Sequence, residues 1–213
     1  MTRQVTIIDY GVGNLYSVGR AFEVCGADVV FASDPDQIAS AHHLVLPGVG
    51  AFESGMVGLH DRNLVEPIRA HAALGKPLMG ICLGMQMFAS VSEEFGEHKG
   101  LDLIPGRVRP LSKTTVEGEA QKIPHIGWSS LHRTPEADWH QTALAGIQEG
   151  DSLYLVHSFA VHTDDPSHQI AFSQFGGHEV CMVMRRGPLI GCQFHPEKSG
   201  VVGLKILSTF MAL

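Results

Sequence analysis

In its first half the chain alternates short, continuously apolar runs with longer helix-like stretches, and few folds tolerate that pattern. Residues 5–9, 28–32, 43–47 and 77–81 are apolar runs of strand length. Between them lie helical patterns: residues 15–25 with Gly26 as a stop, a capped start at Asp34-Pro35-Asp36-Gln37, a broken helix over 51–73 ending near Gly75, and a helix over 83–95. A capping acid, proline at the first position and glutamine three residues on favour a helix start, and glycine favours an end. Strands that are apolar on both sides must be covered on both sides. The alternation therefore predicts an α/β fold: a mostly parallel central sheet flanked by helices.

The second half reads differently. Residues 106–111, 152–159, 169–175, 179–184 and 189–195 look like strands joined by short turns, which predicts an antiparallel extension of the sheet. Residues 201–213 form a closing helical pattern, and 114–139, with their polar and proline punctuation, are assigned to loops. No repeat, low-complexity tract or linker divides the 213 residues, a length that suits one sizeable core, so residues 1–213 are expected to be one domain.

Composition excludes some classes of function. The net charge of -7 argues against nucleic acid or an anionic membrane as a partner. No apolar run approaches the roughly 18 residues of a membrane span. The N-terminus runs into the first strand without a signal-peptide pattern, so a cytoplasmic setting is expected. Cysteines stand at 25, 82, 181 and 192, none in a C-x-x-C pair, and are expected to stay reduced. The thirteen histidines show no zinc-like spacing, so no metal is expected. Gly11-Val12-Gly13 lacks the third glycine of a dinucleotide fingerprint, since Tyr16 stands in its place, and no cofactor is expected.

Three cysteines have apolar neighbours and read as core residues. Cys82 differs. Gly80-Ile81-Cys82-Leu83-Gly84 lies between an apolar strand and a helix, as in a nucleophile elbow with cysteine in place of serine. Glycines on either side permit a sharp turn that exposes the sulfur. The helix start favours a thiolate, and the Leu83 amide points to where an oxyanion would form. A buried cysteine beside glycines by chance is the plainer alternative.

His195-Pro196-Glu197 ends the last apolar run. In extended backbone His195 and Glu197, two apart, face the same side. That suits a histidine acting as base toward Cys82 and acid toward a leaving amine, with Glu197 fixing its tautomer. A solvated turn would serve the same three residues. Gln86, four residues after Cys82, shares its helix face and so can contact a substrate. Trp128 is either a satellite core residue or an exposed aromatic anchor, a residue type enriched at interface hot spots.

The block Gly80 to Gln86 and the block Cys192 to Lys198 together resemble the two ends of the triad of the class I glutamine amidotransferases, in that family's chain order. Four further blocks resemble the glutaminase subunits of imidazole glycerol phosphate synthases: Asp9 to Asn14, Leu46 to Phe52, Pro124 to Trp128 and Tyr154 to Phe159. The resemblance implies a flavodoxin-like fold and attack of Cys82 on glutamine's side-chain amide. It implies a thioester, and transfer of ammonia to a (β/α)8-barrel cyclase subunit in a heterodimer that serves histidine biosynthesis. It also implies an oxyanion strand at Pro47-Gly48-Val49-Gly50, in which the Val49 amide joins that of Leu83 and the glycines permit a peptide flip. It implies substrate contacts at Gly48, Gly50, His157, Ser158 and Phe159. Asn14, His125, Trp128 and Lys198 are expected to face the partner. Ser129-Ser130, Phe159 and Ala160-Val161-His162 depart from the family's usual residues.

Other readings stand beside this one. They are a glutaminase feeding a pyridoxal phosphate, anthranilate or guanylate synthase, a hydrolase acting alone such as a γ-glutamyl peptidase, and a non-catalytic regulatory or binding module on the same fold. Val49 and the block Pro124 to Trp128 speak against the other synthases, and the intact triad speaks against the module.

Overall fold

A computed structural model describes residues 3–213. The expected leader-free start at Met1 and Thr2 lies outside the described residues. The first half follows the predicted alternation: β1 (Arg3–Ile8), α1 (Leu15–Val24), β2 (Ala27–Ala32), α2 (Pro35–Ser40), β3 (His43–Gly48), α3 (Phe52–Asp61), α4 (Val65–Ala73) and β4 (Leu78–Cys82). Asn14 and Asp34 cap α1 and α2 by accepting from the Ser17 and Gln37 amides. The broken helix over 51–73 is two helices, interrupted at Asn63, which has φ 55°.

After β4 come α5 (Leu83–Met87), β5 (Val91–Ser92), β6 (His98–Lys99), β7 (Gly106–Pro110), β8 (His125–Ser130), β9 (His132–Arg133), β10 (Ser152–His157) and β11 (Phe159–Thr163). The chain closes with β12 (Gln169–Phe175), β13 (His178–Arg186), β14 (Leu189–Cys192) and α6 (Gly200–Phe210).

Eight strands form the main sheet in the order β2-β1-β3-β4-β14-β13-β12-β9. The first five are parallel, and β13, β12 and β9 extend the sheet antiparallel, as expected. Alternating side chains of the central strands divide between two hydrophobic clusters. Val5, Ile7, Val45, Met79 and Ile81 pack with Phe22 of α1 and Phe210 of α6. Ile8, Leu44, Leu46 and Leu78 pack with Ile38, Phe52, Leu59 and Ile68 of α2, α3 and α4. That is the period of two in a strand covered on both faces.

Four sequence expectations need correction. The helix expected over 83–95 ends at Met87, and the chain turns to form β5 and β6. The strand expected over 152–159 breaks at Ser158 into β10 and β11, which join different sheets. The strand over 106–111 is β7, and it pairs with β11 and β5 outside the main sheet. The loop expected over 114–139 contains β8 and β9. In β8 the apolar Ile126 and Trp128 face solvent while His125, Gly127 and Ser129 face inward, so the usual apolar-in pattern is absent.

Candidate active site

The sheet order explains why distant residues meet. β3, β4 and β14 are neighbours, with Gly48 opposite Cys82 and Cys192 opposite Ile81. Their C-terminal ends therefore lie side by side. Ligands bind at such strand ends in open α/β sheets.

Cys82 is the last residue of β4 and the N-cap of α5, with φ 55° and ψ -111°. This backbone turns the chain sharply and leaves Leu83 as the first helical residue, with an amide that no helical carbonyl can use. The flanking glycines are sterically required. A Cβ on Gly84 would overlap the Leu46 carbonyl oxygen, and one on Gly80 would lie 2.7 Å from the Gly84 carbonyl oxygen.

His195 and Glu197 continue from β14. His195 Nδ1 lies 2.8 Å from Glu197 Oε1, and the two side chains are 4% and 1% exposed. Glu197 thus fixes the tautomer and leaves Nε2 for Cys82. Burial pulls the His195 pKa down, but hydrogen bonds and charge from Cys82 and Glu197 outweigh it and raise it to about 9. The surroundings of the ring thus favour its protonated form. The other three thiols are unsuited to chemistry. Burial pushes Cys181 up to about 12, Cys192 higher still, and Cys25 upward.

The triad opens into a cleft of about 290 Å³ lined by Val49, Gly50, Cys82, Leu83, Gln86, Glu94, Pro124, Val156, His157, Ser158, Phe159 and His195. The sequence-predicted substrate and oxyanion residues are thus brought together, except Gly48. Gly48 lies behind the cleft, where a Cβ would come within 2.6 Å of the Tyr10 hydroxyl and 2.9 Å of Leu83 Cβ. Tyr10 is buried and donates to the Pro47 carbonyl at 2.8 Å, which pins the strand leading to Val49. His157 is held neutral, since burial lowers its pKa to about 4, and its Nδ1 lies 2.9 Å from the Phe159 carbonyl. Gln86 Nε2 donates to the same carbonyl at 3.1 Å. The 157–159 backbone is fixed by this double anchorage, and Gln86 reaches the cleft wall with one amide nitrogen already engaged.

Two residues of the site escape sequence reasoning. Glu94 was expected on a helix, yet it sits in the turn after β5, where its Oε2 accepts from the Phe52 amide at 2.6 Å. Gln193 is fully buried and donates toward Cys82 Sγ at 3.8 Å. The signal for Gln193 was present: a single polar residue in an apolar run, two before His195.

The four residues expected to face a partner divide. Trp128 is 59% exposed in β8, beside Ile126 on the same face, and meets Tyr154 edge to face. Lys198 is exposed, 5.9 Å from the Tyr154 ring centre. Asn14 is exposed but serves as a helix cap. His125 is a correction: it is buried, its ring is stacked on Phe175 with centroids 4.2 Å apart, and its Nε2 is 2.9 Å from Ser129 Oγ, so the ring is unavailable to a partner. Among the described residues no group of three or more histidine, cysteine or acidic side chains is placed to hold a metal ion, and no helix is long and apolar enough to cross a membrane.

Residues 6–212 match the family model for Glutamine amidotransferase class-I. The chain is 50% identical over 210 residues to the Imidazole glycerol phosphate synthase subunit HisH 1 of Legionella pneumophila (strain Paris), covering 98% of this chain and 99% of that protein. It is 44% identical over 207 residues to the Imidazole glycerol phosphate synthase subunit HisH of Syntrophotalea carbinolica, covering 97% and 98%. The solved structure of PurLQS from Thermotoga maritima has a similar fold, with TM-score 0.71 at 19% identity, over 100% of this chain and 99% of that one.

Proposed function

The chain belongs to the class I glutamine amidotransferases, and from that premise we propose that it is the glutaminase subunit of an imidazole glycerol phosphate synthase. It hydrolyses glutamine to glutamate and ammonia, and the ammonia serves a (β/α)8-barrel cyclase subunit in histidine biosynthesis. Half-identical, full-length relatives bearing that subunit's name support this reading over a pyridoxal phosphate or anthranilate enzyme. The observation that carries the chemistry is the line Cys82–His195–Glu197 across the ends of adjacent strands.

His195, positioned by Glu197 and with its pKa raised, takes the Cys82 proton as general base. The sulfur attacks the carboxamide carbon. The resulting oxyanion accepts hydrogen bonds from the amides of Leu83 and Val49. His195 gives its proton to the departing nitrogen, the C–N bond breaks, and a γ-glutamyl thioester and ammonia result. The ring, now neutral, takes a proton from water as that water attacks the thioester. The sulfur leaves as thiolate, and glutamate is released. The Glu94 carboxylate lines the cleft and suits the substrate's α-ammonium group. The 157–159 backbone suits its α-carboxylate. Val49, Ile126, Trp128, Tyr154 and Lys198 form the partner's docking face beside the cleft. The setting is cytoplasmic, where the thiols stay reduced.

The test is Cys82→Ser in the complex with the cyclase subunit. Glutamine-dependent synthesis is expected to vanish while synthesis from ammonium salts persists, because only ammonia production needs the thiolate. Retained glutaminase activity would overturn the assignment of Cys82.

A further inference from the structure

Gln193 is wholly buried and polar, in a run that is otherwise apolar. The register of β14 on β4 pairs Cys192 with Ile81, so Gln193 continues alongside Cys82. Its backbone is held by a hydrogen bond from its amide to the Met182 carbonyl at 2.9 Å. Its side chain has only one consistent orientation. Oε1 accepts from Gln86 Nε2 at 3.0 Å, so the Nε2 end is turned to Cys82 Sγ, 3.8 Å away. Gln86 is fixed in turn by the Phe159 carbonyl at 3.1 Å. A donor aimed at sulfur favours the thiolate, because a neutral thiol gains little from it. The Val156 carbonyl is too distant, at 4.0 Å, to hold the thiol strongly as a donor.

We propose that Gln193 is a positioning residue that holds the Cys82 sulfur in place and stabilises its anion, its own amide being aligned by Gln86 and the Phe159 carbonyl. The proposal rests on the reading of Cys82 as the nucleophile. Gln193 does not line the cleft, so it acts through Cys82 and not on glutamine.

The experiment compares the full chain with its Gln193→Met and Gln193→Glu variants. Iodoacetamide alkylation of the Cys82 peptide is followed by mass spectrometry from about pH 5 to about pH 10, the range in which protein thiols titrate. Glutamine kcat and KM are measured in parallel, and Cys82→Ser is carried as a control. Methionine keeps the shape and loses the donor. Its alkylation midpoint is expected to rise by about one pH unit and its kcat to fall about tenfold, with KM changed less than about twofold. Glutamate keeps the acceptor for Gln86 but sets a carboxylate against the sulfur, so its midpoint is expected to rise further. If Gln193→Met fails to fold, the Glu variant alone decides. Alkylation profiles that superimpose on wild type, or a raised KM at unchanged kcat, would overturn the proposal while leaving the nucleophile intact. Glutaminase activity surviving in Cys82→Ser would instead remove the reading beneath it.

Discussion

Cys82 holds a backbone angle, φ 55°, that side chains with a Cβ avoid, at a cost on the order of 1–3 kcal/mol. The strain places the sulfur above the sheet. Glycine removes it and alanine does not, so Cys82→Gly is expected to be more stable than Cys82→Ala by about 1 kcal/mol, with both inactive. Thermal denaturation of the pair measures this, and equal midpoints would mean the turn is relaxed. His195 carries a second signature. Its pKa is raised from 6.5 to about 9 in the folded state. Its contribution to stability is therefore complete below about pH 6.5 and is lost as pH climbs toward about 9. Glu197→Gln removes one source of that shift, so the decline over this window is expected to flatten. Denaturant unfolding at a series of pH values reads it directly, and an unchanged slope would contradict the coupling. The triad was legible because its residue types sit in rare local settings, glycines about a cysteine and a carboxylate two after a histidine. Gln193 showed only as a lone polar residue in an apolar run, and Glu94 not at all, because their roles come from neighbours distant in sequence.

The elbow between β4 and α5 is set by van der Waals contact. Gly84 lies against the Leu46 carbonyl with no space for a methyl group. Gly84→Ala is expected to cost about 2–4 kcal/mol in urea unfolding or to yield insoluble protein, and a soluble variant of wild-type stability would refute the packing. The proposed oxyanion segment, Pro47 to Gly50, has its own constraint, the Tyr10 hydroxyl on the Pro47 carbonyl. Tyr10→Phe breaks that pin, a bond contributing about 1 kcal/mol. If a partner acts by favouring the peptide flip that Gly48 and Gly50 permit, the variant is expected to raise glutamine turnover of the unpartnered chain about fivefold and to shrink any gain on adding the cyclase subunit. An unchanged activation ratio would show that the pin is irrelevant to the strand's equilibrium. Elements with both faces buried, β1, β3 and β4, announced themselves as apolar runs. β8 did not, because Ile126 and Trp128 face solvent and Gly127 lies between them. α5 stops after five residues because the amides of Leu101, Leu103 and Ile104 donate to the Met87 and Phe88 carbonyls, a tertiary preference over the local helical one.

At the scale of the molecule, an exposed aromatic face adjoins the mouth of the cleft. Trp128 and Ile126 are 59% and 61% exposed, a poor arrangement for an isolated surface and a good one for an interface core. Trp128→Ala is expected to weaken binding of the cyclase subunit about 30-fold, or about 2 kcal/mol, while leaving the melting temperature within a degree or so. Titration calorimetry against that subunit, with a melting curve, distinguishes this outcome from a core role, in which stability would fall and affinity would not. The sheet order carries a further consequence. β14 inserts between β4 and β13, and Gln193 meets Cys82 across 111 residues of chain. During synthesis, therefore, Cys82 leaves the ribosome long before His195, the base proposed for it. On the proposed roles a nascent chain cannot consume glutamine: β14 and the residues that flank it arrive together, so catalytic competence begins only when the fold closes.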